Sequence, residues 1–137
     1  MTAFAAVTIS LGTPALAVET PADGSHASAV TIDAENLIEL YQSVPGLQIV
    51  DTRLLEDHRL GHIELSRNLP LDETSCKSLS RIAENRETAM VFYCNGNLGD
   101  FSAEALNIAA SCGYKRLFWL RGGFIEWQEK DYAFEFE

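Results

Sequence analysis

Short apolar runs alternate with stretches of helical periodicity along most of this chain, and that alternation limits the folds open to it. Ala89 to Tyr93 (Ala-Met-Val-Phe-Tyr) is the most convincing buried strand, and it stops at Cys94. Val30-Thr31-Ile32, the run from Leu47 to Val50, a weaker segment near Asn68-Leu69, and Arg116 to Leu120 supply further strands. Asp33 can cap a helix carrying Leu37, Leu40 and Tyr41, closed by Pro45-Gly46, and a loop or short helix then runs to Gly61. Thr74 or Ser75 can cap a second helix with Leu79, Ile82 and Ala83. Ser102 to Cys112 has helical spacing, with Gly113 where a C-cap belongs. Gly122-Gly123 breaks the last strand, and Phe124 to Lys130 makes a final amphipathic helix. Strands alternating with helices of about ten residues imply an α/β fold: a mostly parallel central sheet with helices on both faces. No internal repeat and no second domain is visible. A chain of 137 residues, 47% of them hydrophobic, suits one core.

The formal charge is −10, and no basic cluster occurs anywhere. That argues against nucleic acid or an anionic membrane as partner and leaves a solvated acidic surface or a basic protein partner. The first residues differ from the rest. Met1 to Ala17 contains no charged residue, Phe4 to Leu11 is mostly apolar, and Ala15-Leu16-Ala17 has the small-x-small form that signal peptidase accepts. Residues 1–17 therefore read as a signal peptide cleaved after Ala17, although no Lys or Arg precedes the apolar stretch. Residues 18–28 read as a flexible leader and 29–137 as the folded domain. The expected location is an exported one, a bacterial periplasm, with the cytoplasm as the alternative. The three cysteines, Cys76, Cys94 and Cys112, cannot all be paired, and their spacings fit neither C-x-x-C redox chemistry nor a zinc site. Cys112, on the apolar side of its helix, reads as a packed thiol. Cys76, near a helix start, reads as a bystander, with a resolving thiol as the alternative.

Cys94 stands between a buried strand and the next helix, where open α/β sheets bind their ligands. The seven residues after it, Asn95, Gly96, Asn97, Leu98, Gly99, Asp100 and Phe101, form the connecting loop. Two glycines and two asparagines permit the backbone angles of a cradle whose N–H groups turn inward. Together with the positive end of the following helix, such a cradle favours a thiolate or a bound anion. A buried structural cysteine needs no glycine-rich turn after it, so the loop favours a chemical role.

Asp51-Thr52-Arg53, Gly61-His62-Ile63, Asn68-Leu69-Pro70, Val91-Phe92-Tyr93-Cys94 and Leu120-Arg121-Gly122-Gly123 with Trp127 occur in that order. Together they resemble the rhodanese-like domain over about residues 30 to 130. No single piece is specific, but five in order are strong. The resemblance implies a single-domain sulfurtransferase or sulfur carrier: Cys94 takes a sulfur atom as a persulfide from a small donor, the loop amides stabilise it, and a thiol or protein acceptor removes it. It implies no metal or organic cofactor. It places Asp51 and Arg53 as a pair bracing the site and gives His62 a structural role. Ser102 takes the place of the serine that usually opens the helix after the loop. Trp119 and Trp127 read as core aromatics.

The chain departs from the family pattern in two ways. Ser102 lies eight positions after Cys94, which makes the loop about two residues longer than the common form, and the loop has no Arg or Lys. Asn95-Gly96 fits an exported sub-type with a longer loop, but Gly99 stands where that sub-type has a second cysteine. The related phosphatases need Cys-x5-Arg to clamp an oxyanion, and Asp100 holds that sixth position. The alternative to sulfur transfer is a non-catalytic binding or regulatory module that keeps the fold with a decayed loop.

Overall fold

A computed structural model describes residues 29–96 and 101–137. The expected signal peptide, the leader, and loop residues Asn97, Leu98, Gly99 and Asp100 lie outside the described residues. In chain order the elements are β1 (Ala29–Ile32), α1 (Ala34–Ser43), β2 (Gln48–Asp51), α2 (Leu55–Leu60), β3 (His62–Ile63), β4 (Arg67–Asn68), a 3-10 turn (Leu71–Glu73) and α3 (Cys76–Ile82). They continue with β5 (Met90–Tyr93), α4 (Phe101–Ser111), β6 (Leu117–Leu120), α5 (Gly123–Glu129) and β7 (Phe134–Glu135).

Five strands form one sheet in the order β1-β6-β5-β2-β4, and every pairing in it is parallel. Central β5 explains why two layers of helix are needed. Successive side chains of a strand point to opposite faces, so Met90 and Phe92 enter a core with Leu79, Ala83, Leu106 and Ala109 from α3, α4 and their connections. Val91 and Tyr93 enter the opposite core with Leu37, Phe124 and Trp127 from α1 and α5. Each large apolar side chain buried there contributes about 1.5–3 kcal/mol relative to exposure. Trp119 and Trp127 are both in these cores.

The caps are local and were largely readable. Asp33 Oδ1 accepts from Asn36 N at 2.8 Å, and the Asn36 side chain accepts from Asp33 N at 3.3 Å, a reciprocal box at the start of α1. Of the two candidates for α3, Ser75 is the cap, accepting from Ser78 N at 3.1 Å, while the Thr74 hydroxyl donates to the Pro70 carbonyl at 3.0 Å. Gly113 follows α4 at φ +93°, the left-handed region that suits glycine.

Two expectations need correction. Cys76 and Cys112 are neither bystander nor packed thiol: they form a disulfide with a Cα–Cα distance of 5.4 Å, which ties α3 to the residue after α4. Their pairing depends on how α3 and α4 pack, and a spacing of 36 residues does not reveal that. Phe101 also does not belong to the loop. It is the first residue of α4, one turn position earlier than the apolar periodicity indicates. The two-stranded antiparallel sheet of β3 and β7 was not foreseen, because strands of two residues are too short to carry a period. Among the described residues, no helix is long and apolar enough to cross a membrane.

Candidate active site

The chain leaves β2 toward β4 and leaves β5 through α4 toward β6, and these neighbours lie on opposite sides of the β5–β2 pair. The connections that leave the carboxyl ends of β2 and β5 therefore part to opposite sides, and the crevice outside those ends is where open α/β sheets place their ligands. Asp51 and Tyr93 are partners in register at the end of this pair. Beyond them, Thr52 closes the gap by donating to the Tyr93 carbonyl from both N and Oγ1, each at 2.9 Å. Arg53 and Cys94 then stand on the two lips.

Asp51 is fully buried and organises one lip. Its Oδ1 accepts from the Arg53 backbone N at 3.0 Å and from Nε at 2.9 Å. Its Oδ2 accepts from Arg53 Nη2 at 2.7 Å, from His58 Nδ1 at 2.9 Å and from the Tyr93 hydroxyl at 3.1 Å. Burial alone would raise the Asp51 pKa. The hydrogen bonds and charge of Arg53, joined by the bond from His58, outweigh it and hold the carboxyl below the ordinary aspartate range. Burial first, and the Asp51 charge second, push the Tyr93 phenol upward, so it stays a donor. Arg53 bridges to its surroundings with what remains of its fork: Nη2 donates to the Gly61 carbonyl at 2.7 Å and Nη1 to Asn95 Oδ1 at 3.4 Å. The guanidinium also lies 4.5 Å from the centre of the Phe124 ring.

Cys94, the cysteine outside the disulfide, forms the other lip and is 3% exposed. Ser102, in the first turn of α4, donates from its hydroxyl to Cys94 Sγ at 3.6 Å, and Trp119 Nε1 in turn donates to Ser102 Oγ at 2.9 Å. An indole N–H can only donate, so the serine hydrogen is left to point at the sulfur. Cys94 Sγ is 3.8 Å from the Gly96 carbonyl, its acceptor when the sulfur carries a proton. The start of the loop is pinned from behind by α5: Phe124 N donates to the Cys94 carbonyl at 2.9 Å and Ile125 N to the Asn95 carbonyl at 2.8 Å. This approach requires Gly123. Its φ is +59°, and a Cβ there would fall 2.3 Å from the Cys94 carbonyl oxygen.

Arg53, Leu54, Asp57, Cys94, Asn95 and Phe101 line a cleft of about 110 Å³. Leu54 and Phe101 are 55% and 51% exposed, so its rim is apolar. Of the residues picked from the sequence, Cys94, Asn95, Arg53 and Phe101 thus meet at one cleft, with Ser102 and Gly96 at the sulfur and Asp51 behind Arg53. His62 is elsewhere. Its Nδ1 donates to the His58 carbonyl at 2.8 Å, and its ring stacks on His58 at 3.7 Å. Sequence reasoning missed Leu54 and Asp57 in the cleft, His58 on Asp51, and the bond from Trp119 to Ser102. Leu54, Asp57 and His58 sit in no periodic pattern or motif and are brought in only by the turn into α2 that follows β2, while Trp119 lies in a strand legible from sequence but reads there as a core aromatic, with nothing to show the partner of its N–H.

Comparison with known proteins agrees with this architecture. The sequence model described as rhodanese-like domain matches residues 33–130. A solved protein of Bacillus halodurans superposes with a TM-score of 0.69 at 22% identity, over 79% of this chain and 77% of that one. A rhodanese-like domain of an Anabaena protein gives 0.67 at 20% identity, over 78% of this chain and 79% of its own. A thiosulfate sulfurtransferase from Pseudomonas aeruginosa gives 0.69 at 19% identity, and the match spans 79% of this chain but only 20% of that enzyme. No curated protein matches in sequence. At these identities the solved structures speak for the fold, and the family match covers most of the chain, from α1 through α5: the protein belongs to the rhodanese-like domain family.

Proposed function

We propose that this protein is a sulfurtransferase or sulfur carrier that works through a persulfide on Cys94. The observation that carries the reading is the placement of Cys94 Sγ at the mouth of the β2–β5 crevice, under the Ser102 hydroxyl and in one cleft with Arg53. In the first half-reaction the Cys94 thiolate attacks the outer sulfur of a donor. A new S–S bond forms on Cys94, the donor's own S–S bond breaks, and its electron pair leaves with sulfite or a thiolate. In the second, an acceptor thiolate attacks the outer sulfur, and Cys94 leaves as thiolate. The Trp119–Ser102–Cys94 chain of donors, reinforced along its length, meets the negative sulfur in both steps, and the N-terminal end of α4 adds its partial positive charge. The cleft has an apolar rim of Leu54 and Phe101 and a guanidinium already paired with Asp51. These features favour an organic or protein thiol over a small free dianion as exchange partner.

The test is intact mass spectrometry of the oxidised protein after incubation with thiosulfate or with a low-molecular-weight persulfide, with Cys94→Ser as control. The expected result is a gain of one sulfur atom, borne by Cys94 and absent from the variant. No gain from either donor, on a protein whose Cys94 still alkylates, would overturn the reading and leave a binding module. We assign the protein to an oxidising compartment, the bacterial periplasm, on two independent grounds: the uncharged, apolar Met1–Ala17 and the Cys76–Cys112 disulfide.

A further inference from the structure

Between β4, at the edge of the sheet, and α3 lies a groove of about 570 Å³ that the sulfur chemistry does not use. The sequence contains no basic run, yet Arg67 of β4 and Lys77 and Arg81 of α3 meet in the wall of this groove. The chain has 20 Asp and Glu against 10 Lys and Arg, so a surface cation is expected to find a carboxylate. Arg59, Lys115 and Lys130 each do. Arg67, Lys77 and Arg81 are exposed, and among the described residues none of the three is in an ion pair. Glu73 is the one acidic residue of the described lining, which leaves the groove net positive. Local stability does not account for this placement. Lys77 stands in the first turn of α3, where the helix end is already positive, and Arg81 follows it at i+4, where like charges repel.

The groove adjoins the Cys94 cleft through one side chain. Asn68 lines the groove, and its Nδ2 donates to the carbonyl oxygens of Arg53 at 2.8 Å and Asp51 at 3.2 Å. Arg53 is in turn a wall of the cleft. A partner seated on the apolar rim of Leu54 and Phe101 therefore needs to reach only past Asn68 to meet the three cations. The charges narrow what that partner is. Exposed cations hold a lone small anion weakly, because water and salt screen each contact. An occupant has to present several negative charges at once. A long polyanion such as nucleic acid would carry those charges onward over a molecule of net charge −10, which opposes it. A short acidic segment of a protein does not. We propose that the thiol partner of Cys94 is a protein with a short Asp/Glu-rich segment, which docks between Arg67, Lys77 and Arg81 while the partner's cysteine enters the cleft. The proposal rests on Cys94 acting as a sulfur carrier. Such a contact sets the choice of partner and the rate of encounter more than the final affinity.

The probe is a synthetic peptide, a run of glutamates followed by glycine and a terminal cysteine, compared with the same peptide carrying glutamine for glutamate. With its cysteine blocked and a fluorophore attached, the glutamate peptide is expected to bind the oxidised, full-length protein about 10-fold more tightly than the glutamine peptide at low salt. The triple variant Arg67→Gln/Lys77→Gln/Arg81→Gln should lose that difference. Arg59→Gln/Lys115→Gln/Arg116→Gln, which removes as much charge from other exposed positions, should keep it. With its cysteine free, the glutamate peptide should take sulfur from loaded Cys94 about 10-fold faster than the glutamine peptide, again only with the groove cations in place. Mercaptoethanol, a small uncharged thiol, should unload the parent and the groove variant at one rate. Equal binding of the two peptides, or equal loss in both triple variants, would overturn docking at the groove. Preferential binding without faster unloading would overturn its service to Cys94. A short single-stranded oligonucleotide that binds more tightly than the peptide and is lost in the groove variant would assign the groove to nucleic acid instead. If Cys94 never loads, sulfur transfer fails and the thiol partner with it, while the blocked peptide still decides whether the groove takes an acidic segment.

Discussion

Asp51 joins three other side chains, Arg53, His58 and Tyr93, at the point where β2 ends. Replacing it by Asn keeps the shape but strands a buried guanidinium, for which a cost of about 3–5 kcal/mol is expected. The same residue predicts a pH dependence. Its folded pKa is depressed relative to the unfolded value of about 4, so its contribution is fully present above that value and is lost as pH falls through the lower, folded one. Urea midpoints measured from pH 7 down to pH 3 should decline at the acid end in the parent, and Asp51→Asn should be weaker at neutral pH and flatter across the acid span. A variant as stable as the parent at pH 7 would show that the Asp51–Arg53 brace carries no stability. At this scale the sequence was informative where a motif fixed a pair of neighbours, as in Asp51-Thr52-Arg53. His58 escaped notice because its significance lies in what the end of β2 and the stack with His62 place beside it.

Elements were legible in proportion to their length and burial. β5, α1, α4 and β6 could be read from apolar periodicity and caps, since local chemistry and tertiary packing agree there. β3 and β7 could not, since they exist only through each other. The α3–α4 disulfide was hidden for the same reason, and it sets the prediction at this scale. Closing a loop across a separation of 36 residues should contribute about 3–4 kcal/mol by constraining the unfolded chain. Reduction, or the Cys76→Ser/Cys112→Ser double variant, should therefore lower the melting temperature by on the order of 15 °C. Cys112 follows the last turn of α4 and Ser102 lies in its first, so the bridge and the Cys94 site are at opposite ends of a helix about 16 Å long. Sulfur loading of Cys94, measured well below the new melting temperature, should survive the loss of the bridge. Loss of loading in a folded double variant would mean that Cys76 or Cys112 takes part in the chemistry.

For the molecule as a whole, the fold followed from strand–helix alternation, and the candidate site followed from one topological consequence of it, the parting of the connections that leave β2 and β5. The cysteines link that architecture to the place where the protein works. A reducing compartment would keep all three as thiols and forfeit the α3–α4 bridge, whereas an oxidising one leaves Cys94 as the cysteine outside the disulfide. The full chain, made in a bacterial host and alkylated in the cell before lysis under denaturing conditions, should therefore carry one modified cysteine, Cys94. Removal of residues 1–17 should retain the protein in the cytosol, where all three cysteines are modified and the purified, still-reduced domain melts at the lower temperature expected for the bridge-free variant. If the full chain also carries three modified cysteines, the Met1–Ala17 segment does not direct export. The disulfide would then form only after the protein leaves the cell's reducing interior, and the assignment to an oxidising compartment would fall.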